Sequence, residues 1–157
     1  YKGRGVVVCD EWKEFDRYAD WFYSGDSNYR DGHHLDKDIF SENNPLTYSP
    51  QSCIFVPPDL NTFFATAHNR RGDLPVGVYF RKECGKYKAQ CQNVGQGGRR
   101  SQKSLGSYDT PEEAFAAYAT FKKCVLMDLI SDLRQRGEIP EKVYTHLLSW
   151  TPVPFPE

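Results

Sequence analysis

The chain has 157 residues, 39% of them apolar and 15% aromatic, and a formal net charge of −1 at pH 7. This is enough apolar surface for one domain, or two small ones, with a modest core, and it excludes wholesale disorder. No apolar run approaches the length of a membrane span, so no membrane partner is expected.

Five cysteines (Cys9, Cys53, Cys84, Cys91, Cys124) make an odd number, with no Cys-x-x-Cys pair and no secretory segment ahead of them. They read as reduced thiols of a cytosolic protein, with a zinc site as the alternative. The chain starts at Tyr1 and enters Val6-Val7-Val8 almost at once, from which a preceding natural segment is expected. The near-zero net charge hides a segregation. Residues 9–42 hold ten Asp/Glu against four Lys/Arg, a balance of −6, whereas residues 70–104 hold nine Lys/Arg against two acids, a balance of +7. Such an arrangement points to two jobs, one attracting cations and one attracting a polyanion.

Taken in order, Gly5 to Cys9 reads as a short buried strand. Asp10 then caps a helix whose Trp12, Phe15, Tyr18, Ala19 and Phe22 recur at helical spacing and are expected in the core. Ser24 to Gly32 is a loop that delivers His33. From His33 to Asn61 the chain concentrates groups that bind metals or move protons. A polar extended arm (33–39) is followed by a loop rich in Asn, Ser and Pro and by the apolar run Cys53 to Val56. Pro57-Pro58-Asp59 then opens a helix through Asn61, continued by Phe63 and Phe64. On an extended arm His34, Asp36 and Asp38 share one face while His33, Leu35 and Lys37 share the other. Imidazole and carboxylate donors without thiolates suit Mg²⁺ or Mn²⁺.

This order of strand, loop, strand and helix resembles the HNH endonucleases, and more closely their phage-borne, homing-type members. Leu35-Asp36-Lys37-Asp38-Ile39 is similar to the family's first element, Tyr48-Ser49-Pro50-Gln51-Ser52-Cys53 to its second, and Asn61 to its third. Lys37 falls where the general-base histidine would stand and Ser52 where the middle asparagine would. A second register takes His33 as ligand and His34 as base. The resemblance implies divalent-metal-dependent hydrolysis of DNA phosphodiesters in the cytoplasm of a phage-infected bacterial cell. In it His34 is the base, Asp36 and Asn61 hold the metal together with His33, and Lys37 contacts a phosphate. A non-catalytic DNA-binding protein with a degenerate site is the alternative.

A linker is expected at about residues 66–74. Beyond it, Val78 to Lys82 and Lys86 to Gln92 read as a hairpin with Lys86, Lys88, Gln90 and Gln92 on one face. A basic loop with Arg99 and Arg100 follows, then a third strand, Ser104 to Tyr108. Thr110-Pro111-Glu112-Glu113 is a capping box with proline at the first helical position. Gly77-Val78, Gly85 to Ala89 and Leu105 to Ala114 resemble the Apetala-type DNA-binding domain of ethylene-response factors. That family lays its three-stranded sheet in the major groove, which implies DNA contacts from Arg81, Lys82, Gln90, Gln92 and Lys103. Lys86, Lys88, Arg99 and Arg100 add phosphate contacts on charge alone. The helix is expected to run on to Arg136 through Val125, Leu129 and Leu133, stopped by Gly137, and Pro140 begins a last helix to about Trp150. The expected whole is an α+β protein: a nuclease unit at 1–70, a DNA-binding unit at 74–123 and a helical extension at 124–150. It acts on double-stranded DNA as a monomer or weak dimer.

Overall fold

A computed structural model describes residues 6–40, 47–64, 73–94 and 100–155, without the side chains of residues 93, 94 and 100. The fold is α+β. The chain divides into two compact units, one formed by Tyr1–Ala65 with Ile130–Leu148, the other by Thr66–Leu129 with Ser149–Glu157. The segment expected as a separate C-terminal extension is therefore shared between the two. Among the described residues no helix is long and apolar enough to cross a membrane, and all five cysteines are free thiols.

In the first unit, β1 (Val7–Val8) pairs in parallel with β3 (Thr47–Tyr48). Val7 and Val8 are 53% and 47% exposed, so the expected buried strand is an edge instead. Asp10–Lys13 form only a 3-10 turn, and Glu14 is extended. The break delays α1 to Phe15–Tyr23 and rotates its inner face, so that Phe15, expected in the core, is 78% exposed and Trp21 is buried in its stead. Trp12 and Trp21 meet at 4.5 Å between ring centroids, and Trp21 stacks on Phe55 at 5.9 Å. Cys53 and Phe55 complete this cluster, with Leu35 and Tyr48 against it.

β2 (His34–Asp36) pairs antiparallel with the fully buried β4 (Ile54–Val56), in the register His34↔Val56, Leu35↔Phe55, Asp36↔Ile54. Pro57 then carries the chain into α2 (Pro58–Phe64), whose first bonds are Leu60 and Asn61 N–H to the Pro57 carbonyl. Proline at the first helical position costs no hydrogen bond, because that N–H has no partner within the helix. Of the expected strand, loop, strand and helix, β2, β4 and α2 are thus present at residues 34–64, with the additional strand β3 between β2 and β4.

The second unit is an antiparallel sheet in the order β5 (Val78–Arg81), β6 (Lys86–Val94), β7 (Arg100–Tyr108). β7 begins four residues before the expected third strand. α3 (Pro111–Gln135) covers one face of the sheet. Its start is the capping box foreseen: Glu113 N–H donates to Thr110 Oγ1 at 3.2 Å and Thr110 N–H to Glu113 Oε2 at 3.3 Å. Val78, Ala89 and Ala114 form the buried centre, packed by Tyr87, Leu105, Tyr108 and Phe115. The C-terminal tail belongs here too, with Val76 N–H donating to the Pro154 carbonyl at 2.9 Å.

α3 ends in the first unit. Its buried positions there are Ile130 and Leu133, with Leu126 before them; of the expected Val125-Leu129-Leu133 stripe only Leu133 is buried, Val125 and Leu129 being half-exposed. Gly137, at φ +66°, closes it with Glu138 N–H to Leu133 O and Gly137 N–H to Arg134 O, the paired bonds that a left-handed residue makes possible. α4 (Glu141–Leu148) follows, burying Val143 and Leu147. Asn28 Nδ2 bridges the carbonyls of Phe55 and Glu138, and Lys142 donates to the Asp26 carbonyl. These bonds tie residues 138–142 into the first unit.

Gly77, at φ +77°, lies against Tyr118, and a Cβ there would meet Tyr118 Cδ2 at 2.1 Å. Gly77→Ala is expected to destabilise the second unit by about 2–5 kcal/mol, combining the left-handed penalty with overpacking. Urea unfolding followed by near-ultraviolet dichroism checks this. An unchanged midpoint would show that Tyr118 gives way freely.

Candidate metal centre and nucleic-acid interface

The β2–β4 pairing brings the start of β2 beside α2. His34 Nδ1 lies 3.4 Å from Asn61 Nδ2, across 27 residues of sequence. The two residues expected as base and metal ligand are therefore neighbours, with His34 exposed and Asn61 half-buried. A neutral imidazole accepts from the amide nitrogen at Nδ1. With the amide turned over, Nδ1–H donates to its oxygen and Nε2 is left bare.

Asp36 lies two positions along the strand, a rise of about 6.6 Å, and it does other work. It is 4% exposed, and its Oδ1 accepts Asp38 N–H at 2.9 Å and Ile39 N–H at 2.8 Å. This is a carboxylate-capped turn, in which a short acidic side chain takes the place of a backbone acceptor. Burial raises its pKa above the usual carboxylate value, opposed by the two N–H donors. The open face expected to carry His34, Asp36 and Asp38 together is consequently divided: Asp36 is inside, His34 and Asp38 outside.

The remaining expected residues also have structural partners. His33 sets its Nδ1 3.3 Å from the Asn28 carbonyl, and burial lowers its pKa, which favours the neutral ring. The Lys37 ammonium pairs with Asp38, its side chain only 16% exposed. Ser52, at the expected asparagine position, is buried and donates to the Thr47 carbonyl at 2.8 Å while accepting Ser49 N–H at 3.1 Å. It locks the turn between β3 and β4. Among the described residues no group of three or more His, Cys, Asp or Glu converges as a metal site. The expected set of Asp36, Asn61 and His33 does not fit a divalent cation as it stands, since one carboxylate is consumed by a turn and one imidazole by a carbonyl. A groove of about 520 Å³ in the same unit is lined by Trp21, Asp26, Phe40, Pro50, Gln51, Cys53 and Lys142, and it includes none of them.

In the second unit, register decides which side chains are presented. Tyr87, Ala89 and Cys91 of β6 turn to the helix, so Lys86, Lys88, Gln90 and Gln92 stand on the open face, as expected. Cross-strand partners share a face, which adds Tyr79 and Arg81 from β5 and Gln102, Ser104 and Ser107 from β7. Lys86 is paired with Asp109, which raises its pKa, and Arg81 with Glu83 at 3.3 Å. Lys82 is exposed in the turn after β5. Arg99 and the Arg100 side chain lie outside the described residues.

Lys103 is a correction. It opposes Cys91 on the helix side, with its ammonium 4.5 Å from the centre of the Phe121 ring. The cause is a bulge at Leu105: Ala89 faces Gly106 but Gln90 faces Ser104. One extra residue reverses the alternation beyond it. Lys103 moves to the helix side, where it remains exposed, and Gln102 to the open face. Gln102 carried no signal in the sequence, because the bulge that exposes it is a pairing event.

Replacing Asp36 tests its structural use. Asp36→Ala is expected to destabilise the first unit by about 1–3 kcal/mol in EDTA, through two orphaned N–H groups. Asp36→Asn, which keeps an acceptor oxygen, should retain most of that stability. Equal urea midpoints for wild type and Asp36→Ala would remove the turn as the reason for its burial.

Compared with known proteins, the chain matches no family model, no curated protein and no solved structure.

Proposed function

We propose that this chain acts on duplex DNA, binding it through the β5–β6–β7 sheet and hydrolysing its phosphodiester backbone at the β2–β4–α2 unit, as an endonuclease of the HNH homing kind. The observation that carries the binding half is the open sheet face, where Arg81, Lys86 and Lys88 stand beside Gln90, Gln92 and Gln102 with a helix packed behind. Lysine and arginine neutralise phosphates and release counterions, and the amides supply paired donors and acceptors for base edges. An Apetala-type sheet docked in the major groove is the arrangement that this face suits.

The hydrolytic half rests on the strand–strand–helix order and on the contact of His34 with Asn61. With the Asn61 oxygen accepting from Nδ1–H, the exposed Nε2 of His34 takes a proton from the attacking water as general base. Lys37, beside Asp38, contacts a phosphate. Mg²⁺ or Mn²⁺ would supply Lewis-acid chemistry to this reaction, but among the described residues the side chains as arranged do not assemble its site. The second reading is a DNA-binding protein that does not cut, and the burial of Asp36 in its turn favours it.

Two measurements test these readings. Supercoiled plasmid with Mg²⁺ or Mn²⁺ should be nicked or linearised by wild type, and about a hundredfold or more slowly by His34→Ala, the loss typical of a positioned base. Wild type inactive with both ions, and revived by Lys37→His, would establish the non-cutting reading. For binding, Lys88→Ala should flatten the log–log salt dependence of duplex affinity by about one unit. Lys103→Ala, on the helix side, should leave the slope as it is. A wild-type slope near zero would remove the DNA assignment.

A further inference from the structure

The amides of the open face are uncommitted. Gln92 and Gln102 are exposed and Gln90 is half-exposed, and among the described residues none of the three side chains makes a hydrogen bond. Gln92 and Gln102 are direct cross-strand partners, and Gln90 is two positions from Gln92 on the same strand. Cβ atoms of partners on one face lie about 4.5–5.5 Å apart, and residues two apart on a strand about 6.8 Å. The three amides thus form a compact triangle. The residues opposite Lys88 and Gln90 are Ser107 and Ser104, whose short side chains keep that part of the face low. The neighbouring cations, Lys88 and Arg81, lie towards the β5 side and one end of the sheet.

A glutamine amide offers one donor and one acceptor side by side. The major-groove edge of adenine offers the complement, an N7 acceptor beside an N6 donor, whereas guanine shows two acceptors. A face with three amides at one end, on the β6–β7 ribbon beyond β5, and cations at the other matches A·T pairs within a stretch of duplex.

We propose that Gln92 and Gln102, with Gln90 beside them, are the specificity-determining residues of this sheet and read adenines at neighbouring base pairs in the major groove. The inference rests on the proposal that the sheet binds duplex DNA, and it names which sequences are held most tightly. Gln102 reaches this position only because the bulge at Leu105 turns it outward. The cations set affinity and the amides set preference.

The test is fluorescence anisotropy of the full chain on three duplexes of equal length. One is rich in A·T pairs, one is rich in G·C pairs, and the third is the A·T duplex with 7-deazaadenine replacing adenine, which removes N7. The A·T duplex should bind more tightly than the G·C duplex by about five- to a hundredfold for each amide engaged. The 7-deaza duplex should lose that preference with unaltered protein, so the result does not depend on a variant folding. Gln102→Ala and Gln92→Ala should each reduce the preference while leaving the salt slope unchanged. Salt-dependent binding that is equal on all three duplexes would overturn the inference and leave the DNA-binding proposal standing. Absence of salt-dependent binding would overturn both.

Discussion

The second unit depends on one strand. β6 is paired along both edges, with β5 on one side and β7 on the other, and its alternation of Tyr87, Ala89 and Cys91 against Lys86, Lys88, Gln90 and Gln92 sets the two faces of the whole sheet. Because side chains on a strand repeat every two residues, burying one of these sets under α3 leaves no freedom for the other. β7 must follow this alternation, and it does so with a change of phase at Leu105. What the unit presents to solvent is thus a consequence of what it hides.

The first unit is governed by a competition for one carboxylate. Asp36 sits where a metal-binding acid is expected, and it ends β2 by accepting two backbone N–H groups of the following turn. Buried N–H groups without partners are costly, so this use is a structural demand rather than an incidental contact. Asn28, Ser27 and Ser52 are likewise committed to the backbone nearby, as donors to carbonyls. Ser27, fully buried, donates to the Phe22 carbonyl at 2.7 Å, and Ser52 joins the Ser49 turn to β3. The His34–Asn61 pair is spared these duties because it lies at the opposite end of the short hairpin from Asp36, on its exposed side. The side chains left to do chemistry are those that the backbone did not need.

The two units also differ in how they achieve stability. The first is held by an aromatic cluster of Trp12, Trp21, Phe22 and Phe55 and by side chains that bond to distant carbonyls, such as Asn28 to both Phe55 and Glu138. The second relies on long strand ladders and on small residues, Ala89 and Ala114, that let helix and sheet approach closely. Gly77 is part of that close approach, since Tyr118 occupies the space of a side chain there.

The features legible in the sequence were those written in local chemistry. The capping box at Thr110 and Glu113, the left-handed stop at Gly137, the hairpin with its lysine and glutamine face, and the strand, strand and helix of residues 34–64 all follow from neighbours along the chain. Each depends on spacing within a few residues, which is why each could be read in advance. Tertiary structure decided the rest. The extended Glu14 moved α1 out of the expected phase and exposed Phe15, because a helix takes its inner face from where it starts. Ile130 to Leu148 joined the first unit through carbonyls more than a hundred residues away. His34 met Asn61 only once β2 had paired with β4. Lys103 and Gln102 exchanged faces because a single extra residue in β7 is invisible until the strand has a partner to count against.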